Sequence, residues 1–305
     1  MGWNRTSPPK CDSVPVAGES PRRKSRVWGR LRRNRMILTG AALLAGVVLL
    51  AICGPLFVRR DPNEMDFLNI LKPPTWEHPL GTDDFGRDIL SRVVYGSRLS
   101  LKIGFGVMLV TLVSGAFIGL VSGFYGGIVD NVLMRVCDAL MAFPTILLAL
   151  GIMAALGPSA LNVVVALSIV NTPRSARVTR SSVLVLKNYD YVQAAEAVGA
   201  RPSRIMWRHI LPNAISSLVV QETFIFATSI LAEAALSFMG VGAPPPAPSW
   251  GNILGDARIV IKEAPWMTFF PGATIVLTVL GVNLLGDGLR DQLDPRFATI
   301  FGKGR

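Results

Sequence analysis

The sequence predicts an all-α membrane protein with six transmembrane helices and both termini in the cytoplasm. Three observations carry this. Half of the 305 residues are hydrophobic and only 17% are charged, well under the soluble average of about 25%. The mean hydropathy is +0.45. The apolar residues gather into separate runs of roughly 20, the length a helix needs to cross a hydrocarbon layer about 30 Å thick. Lipid offers no hydrogen-bond partner to an open backbone, so each run is expected to be a helix.

Six runs are expected to span. They are Met36 to Val58, Leu99 to Phe124, Val132 to Leu156, Ala160 to Ala176, Ala214 to Phe238 and Trp266 to Gly286. The fourth is the weakest, because Asn171 and Pro173 interrupt it. Charge then orients them. Met1 to Arg35 has ten Lys/Arg against two acids, and Thr172 to Asn213 has seven against two. Arg59 to Arg98 has six against seven, and Met239 to Pro265 has two against two. Basic loops stay inside, so the first two segments are placed in the cytoplasm and the balanced ones outside.

The chain therefore divides into four parts. Residues 1–35 form a basic cytoplasmic arm, partly disordered because it is rich in Pro, Ser and Arg. Its apolar neighbour is too long, and its charged region too extended, for a cleaved signal peptide. Arg22, Arg23, Lys24, Arg26, Arg30, Arg32, Arg33 and Arg35 set the orientation, or in addition touch anionic lipid. Residues 36–98 hold the first helix and an external loop. Residues 99–290 are the core, with a cytoplasmic loop at 187–213. Residues 291–305 are a cytoplasmic tail.

Several function classes are excluded. The net charge of +11 lies in the orienting blocks, and no basic globular domain remains for nucleic acid. Cys11, Cys53 and Cys137 have no metal-ligand spacing, so neither zinc nor a disulfide is expected. His78 and His209 lie outside the spans and are read as surface or interface polar groups. An intramembrane hydrolase would need a Ser–His pair within the spans, so that class is set aside. Gly81 to Asp88 has glycines five apart but no Lys-Ser/Thr after them, so it is not a phosphate-binding loop. No G-x-x-x-x-G-K-[ST] occurs in the chain. The chain is expected to be no enzyme and to hold no cofactor or metal of its own.

Within the spans, Gly115, Gly119 and Gly123 share a helix face and allow close backbone approach. They serve packing inside one subunit or a dimer seam. Arg135 and Asp138 are three apart and can pair on one face. Glu222 and Glu233 fall in or at the edge of the fifth run, and a carboxylate there faces protein or water. Glu233, with Ser237 and Phe238 beside it, lines a path near an external gate, or else anchors a neighbouring helix.

The loop between the fourth and fifth runs carries the sharpest pattern. Gln193 to Gly199 suits a short helix, Gly199 a positive-φ turn, and Arg201 to His209 a second helix with an apolar patch at Ile205, Met206 and Trp207. Pro212 is expected to stop that run. The segment Gln193-Ala194-Ala195, three residues, Gly199, nine residues, then His209-Ile210-Leu211-Pro212 resembles the signature loop of bacterial ABC importer permeases. That pattern reads EAA, three residues, G, nine residues, I-x-L-P. Gln193 stands in place of its Glu, and His209 in place of its Ile.

Other motifs resemble the C-type permease of oligopeptide, dipeptide and related importers. They include His78-Pro79-Leu80-Gly81-Thr82-Asp83, Gly86-Arg87-Asp88, Leu90-Ser91-Arg92 and Gly96-Ser97-Arg98-Leu99-Ser100-Leu101 before the second span. Asp130, Asp138, Ala142-Phe143-Pro144, Ala176-Arg177 and Arg180 continue them. Glu233 to Phe238, Pro248-Ser249-Trp250-Gly251, Leu285 to Asp291 and Leu293-Asp294-Pro295-Arg296 complete the set.

This resemblance implies a type I ABC importer permease fold, and half of a translocation pathway. A second related permease would complete the pathway. Two cytoplasmic ATPase domains, which bind ATP and magnesium, would dock on the loop through Gln193, Ala194, Ala195, Glu196, Gly199, Ala200, Arg201, Arg204 and Ile205. An external substrate-binding protein would deliver the ligand. The substrate implied is a short peptide, with nickel, glutathione or haem as alternatives known in the family, and a non-transporting scaffold as a remote one. The setting implied is a bacterial inner membrane.

Overall fold

The computed structural model describes residues 34–58 and 60–293. The basic arm before residue 34 and the tail after 293, with its Asp294-Pro295-Arg296, lie outside the described residues. The described chain is helical, and its only bridge between extended segments pairs Thr82 with Asp88.

Helix α1 covers Arg35–Phe57, and the Asn34 side chain caps it by accepting from Met36 N at 2.9 Å. Pro55 lies in its last turn and leaves the Ala51 carbonyl without its helical donor. Arg98 supplies that donor, Nε to Ala51 O at 2.6 Å, and adds Nη2 to Ile52 O at 3.0 Å. Helix α2, Ile89–Tyr125, has 37 residues and a length of about 55 Å. It starts well before the predicted Leu99, because Asp88 caps it: its carboxylate accepts from Ser91 N and Ser91 Oγ, both at 2.8 Å.

The third predicted run is not one helix. Helix α3, Gly127–Met141, and helix α4, Thr145–Leu156, meet at a bend of 92°. The break is Ala142-Phe143-Pro144; a proline disfavours helix at the residue before it. The fourth run is longer and more continuous than predicted. Helix α5, Ala160–Leu186, passes Asn171 and Pro173 without a break. The Asn171 amide and Thr172 hydroxyl fold back onto the carbonyls of Leu167 and Ser168.

Helix α6 is Asp190–Ala197. One α-turn, Pro202–Arg204, and a π-turn, Ile205–Ile210, then lead into helix α7, Leu211–Phe238. Pro212 sits in the first turn of α7 and does not end the run as predicted; the helix is continuous from Pro202. The π-turn just before the proline, where Leu211 N donates to Met206 O, is the local break in the regular ladder that accommodates its ring and missing N–H. Helices α8, Trp250–Ala257, and α9, Trp266–Leu293, complete the order.

Among the described residues, α1, α2, the stretch Pro202–Phe238 and α9 are long and apolar enough to cross a membrane, and the bent α3–α4 pair is a fifth candidate. The predicted count of six is reached only by including α5, which is 27 residues long but carries Asn171 near its middle and Arg174, Arg177 and Arg180 in its second half.

The core sits where α2, α4, α5 and α7 meet, around Ile103, Val107, Met153, Leu167 and Ile225. Gly115, Gly119 and Gly123 lie against Ser175, Thr179 and Val183 of α5, and a Cβ at Gly115 or Gly119 would collide with that helix. The glycine row therefore packs within this subunit. Gly40 of α1 and Gly281 of α9 make a second close crossing.

Candidate functional site

Three arrangements separate along the bundle. The first is the loop between α5 and α7. Helix α6 ends in a Schellman turn: Ala200 N donates to Ala195 O at 3.0 Å and Gly199 N to Glu196 O at 2.9 Å. Gly199 takes φ +78°, the left-handed conformation that glycine adopts without steric cost. No atom lies within 4 Å of where its Cβ would stand, so the turn is open to solvent.

Arg201 is extended and Pro202 begins the next turn. Val192, Ile205, Met206 and Ile210 are buried against Leu120 of α2 and Val183 of α5. These four anchor the loop on the bundle. Ile205 was expected on the docking face; it is 2% exposed and belongs to the anchor. Met206 is buried with it, and only Trp207 of the expected apolar patch is exposed. Gln193, Ala194, Glu196, Gly199, Arg201 and Arg204 are exposed, and Ala195 and Ala200 half-buried. Val198 and Tyr189 add exposed apolar surface beside them. The exposed His209 backbone carbonyl accepts from Asn213 Nδ2 at 2.7 Å. Burial pushes the Tyr191 phenol up from its ordinary range, with Tyr189 adding to it.

The second arrangement caps the opposite end. Positive φ at Gly81 and Gly86 folds the segment before α2 back on itself, and a Cβ at Gly86 would strike the Asp66 backbone. Arg87 Nε donates to Asp83 Oδ2 at 2.6 Å, and Arg87 and Arg92 both reach Asp256 of α8, at 3.2 and 3.1 Å. His78 is not a surface group as expected. It is buried, with Nδ1 3.0 Å from Asp88 Oδ1 and Nε2 2.6 Å from Arg60. Burial raises the Asp84 carboxyl above its usual range, and Asp83 and Asp256 add to this.

Ser249, Trp250 and Gly251 are also buried, and Pro248 is half-buried. Trp250 Nε1 donates to Val93 O at 3.2 Å. Gly251 lies against Ala234 and Ser237 of α7. The motifs at this end thus place their polar residues inside a scaffold, and little of them faces outward. Arg92 belongs to the motif before the second span, but Asp256 carries no motif of its own; only the fold brings it to Arg92, 164 residues away.

The third arrangement is inside the bundle. Glu233 is fully buried and accepts from Ser100 Oγ at 3.0 Å and Ser237 Oγ at 2.9 Å. Of its two readings, the geometry is that of a helix anchor. Phe238 is 40% exposed and stacks under Arg258. Glu222 accepts from Thr111 Oγ1 at 2.7 Å and Ser175 Oγ at 2.6 Å.

At the α6 end, the expected Arg135–Asp138 pair is replaced by pairs between helices. Arg177 reaches Asp138 at 2.5 Å, and Arg180 grips Asp130 with Nε at 2.6 Å and Nη2 at 2.5 Å. Arg180 meets both oxygens of Asp130 with two donors, the bidentate geometry in which guanidinium–carboxylate pairs are strongest. Arg135 lines the same open recess of about 420 Å³. Among the described residues no cluster of His, Cys, Asp or Glu could hold a metal.

A bundle of crossing helices, several of them long and apolar enough to span a membrane, with a folded polar loop at one end and a stapled cap at the other, defines a polytopic membrane subunit. The chain belongs to the family of binding-protein-dependent transport system inner membrane components, which matches residues 115–299, in the branch of C-type permeases of peptide ABC importers. The N-terminal transmembrane domain of oligopeptide transport permease C matches residues 24–74.

The chain is 44% identical, over 96% of its length and 95% of the relative's, to a dipeptide transport system permease protein of Alkalihalophilus pseudofirmus. It is 48% identical to a putative peptide transport system permease protein of Brucella abortus, over 94% and 96%. It is 42% identical to a glutathione transport system permease protein of Pectobacterium atrosepticum, over 89% and 91%. A chain of the methionine ABC transporter MetNI in an inward-facing form shares the fold, with TM-score 0.55 and 20% identity, over 66% of this chain and 95% of that one.

Proposed function

We propose that this chain forms half of the pathway by which an ATP-driven importer carries short peptides across a bacterial inner membrane. The carrying observation is the exposed turn at Gly199, held rigidly by the buried Val192, Ile205, Met206 and Ile210. Such a projection transmits motion between a soluble partner and the helices that anchor it. The partners are two ATPase domains on this face, a second related permease beside the bundle, and an external substrate-binding protein at the cap. ATP and magnesium belong to the ATPases. Closure of the ATPases would pull on α6 and, through its anchor, on α2, α5 and α7.

Peptides are favoured as substrate because two relatives at 44 and 48% identity carry peptide or dipeptide names. The glutathione relative is compatible, since glutathione is itself a tripeptide derivative. The test is reconstitution of the complete complex in proteoliposomes. ATP-dependent uptake of labelled di- and tripeptides is expected. Flux of nickel or haem without peptide flux would replace the substrate. No flux of any of these, with intact assembly, would return the chain to a scaffold.

A further inference from the structure

A groove of about 660 Å³ runs between α1, α2 and α7, lined by Leu44, Val48, Ile52, Leu101, Phe105 and Phe226, with Arg98 and Lys102 also on its wall. The two cations are one helical turn apart and both are exposed. None of the groove's lining residues is acidic. Among the described residues Lys102 has neither an ion pair nor a hydrogen bond, and Arg98 donates through Nε and Nη2 to the Ala51 and Ile52 carbonyls of α1.

Depth along the bundle locates the pair. From Lys102 to Phe124 is 22 residues, about 33 Å of helix, close to the thickness of a hydrocarbon layer. If α2 leaves the hydrocarbon near Phe124, Lys102 stands at the opposite boundary, where headgroups begin. A cation there snorkels to the interface, where a lipid phosphate is the anion at hand because no protein carboxylate lines the groove, and an apolar trough open to lipid beside it suits an acyl chain.

We propose that this groove binds one anionic phospholipid of the outer leaflet, its phosphate at Lys102 and Arg98 and an acyl chain along Val48, Leu101 and Phe105. A net negative headgroup is favoured over a zwitterionic one, because an ammonium group would face two cations. The inference rests on the membrane-spanning reading alone and is independent of the transported substrate.

The test uses the complete complex, purified in mild detergent, with retained lipid read by native mass spectrometry. Phosphatidylglycerol should be retained over phosphatidylethanolamine by about fivefold for each cation engaged. Lys102→Glu should bring the two to parity, and Val48→Trp should remove both. If Lys102→Glu fails to assemble, Lys102→Gln and the wild-type ratio still decide. A photocrosslinker at Ile52 should yield a lipid adduct. Equal retention of the two lipids by the wild type, unchanged preference in the Lys102 variants, or a crosslink from Ile52 to the second permease would each overturn the proposal.

Discussion

Glu222 and Glu233 stand eleven residues apart on α7, three helical turns, and so project from one face. Their hydroxyl partners on α2, Thr111 and Ser100, are also eleven apart. Two antiparallel helices are thereby joined by two matched rungs of carboxylate and hydroxyl. Ser175 of α5 joins the first rung and Ser237 of α7 the second. Each rung satisfies polar groups that would otherwise be stranded in an apolar interior.

The upper rung predicts a division between variants at Glu233. In Glu233→Gln the amide oxygen still accepts from a serine, so yield and uptake are expected near wild type. Glu233→Ala leaves Ser100 and Ser237 without that acceptor, at a cost of about 1–3 kcal/mol, and should lower the amount of folded complex. Size-exclusion yield and uptake per assembled complex separate the two effects. Normal yield with lost uptake in Glu233→Gln would make this carboxylate part of the path instead.

The turn at Gly199 predicts loss of coupling without loss of fold. A side chain there meets no atom of this chain, so the intrinsic penalty is the left-handed backbone, about 1–2 kcal/mol. Gly199→Ala should insert normally and keep partial uptake. Gly199→Asp adds a charge that docking would have to desolvate and should abolish uptake while the chain still reaches the membrane. Uptake at the wild-type rate in Gly199→Asp would remove this loop from energy coupling.

Orientation is tested by labelling. Trp76 and Val198 are both highly exposed, at opposite ends of the bundle. On a cysteine-free background, a cysteine at Trp76 should react with an impermeant reagent in whole cells, and one at Val198 only after lysis. The reverse pattern would invert the protein in the membrane.

The cap predicts a pH-dependent gain. The raised carboxyl of Asp84 means that the folded state holds its proton above the unfolded value of about 3.9. Its ionisation therefore destabilises the fold as pH rises through the folded value. Asp84→Asn should raise the thermal midpoint modestly at pH 7, and the difference should vanish below about pH 4. A midpoint lowered at pH 7 would show that its contact with Arg87, at 3.7 Å, outweighs burial.

The sequence by itself determined the helical class, the places of most spans, and the loop around Gly199. These follow from local properties: apolar runs of membrane length, and a glycine at the end of an Ala-rich helix. The bend at Ala142-Phe143-Pro144 escaped because a broken apolar run has the same composition as a straight one. Tertiary structure alone decided that Ile205 anchors rather than docks, that Asp138 pairs with Arg177 and not Arg135, and that Arg92 meets Asp256. A charged side chain can pair along its own helix or across to another. Which of these occurs depends on the distances between helices, and those are set only when the glycine faces of α2, α1 and α9 bring the backbones together.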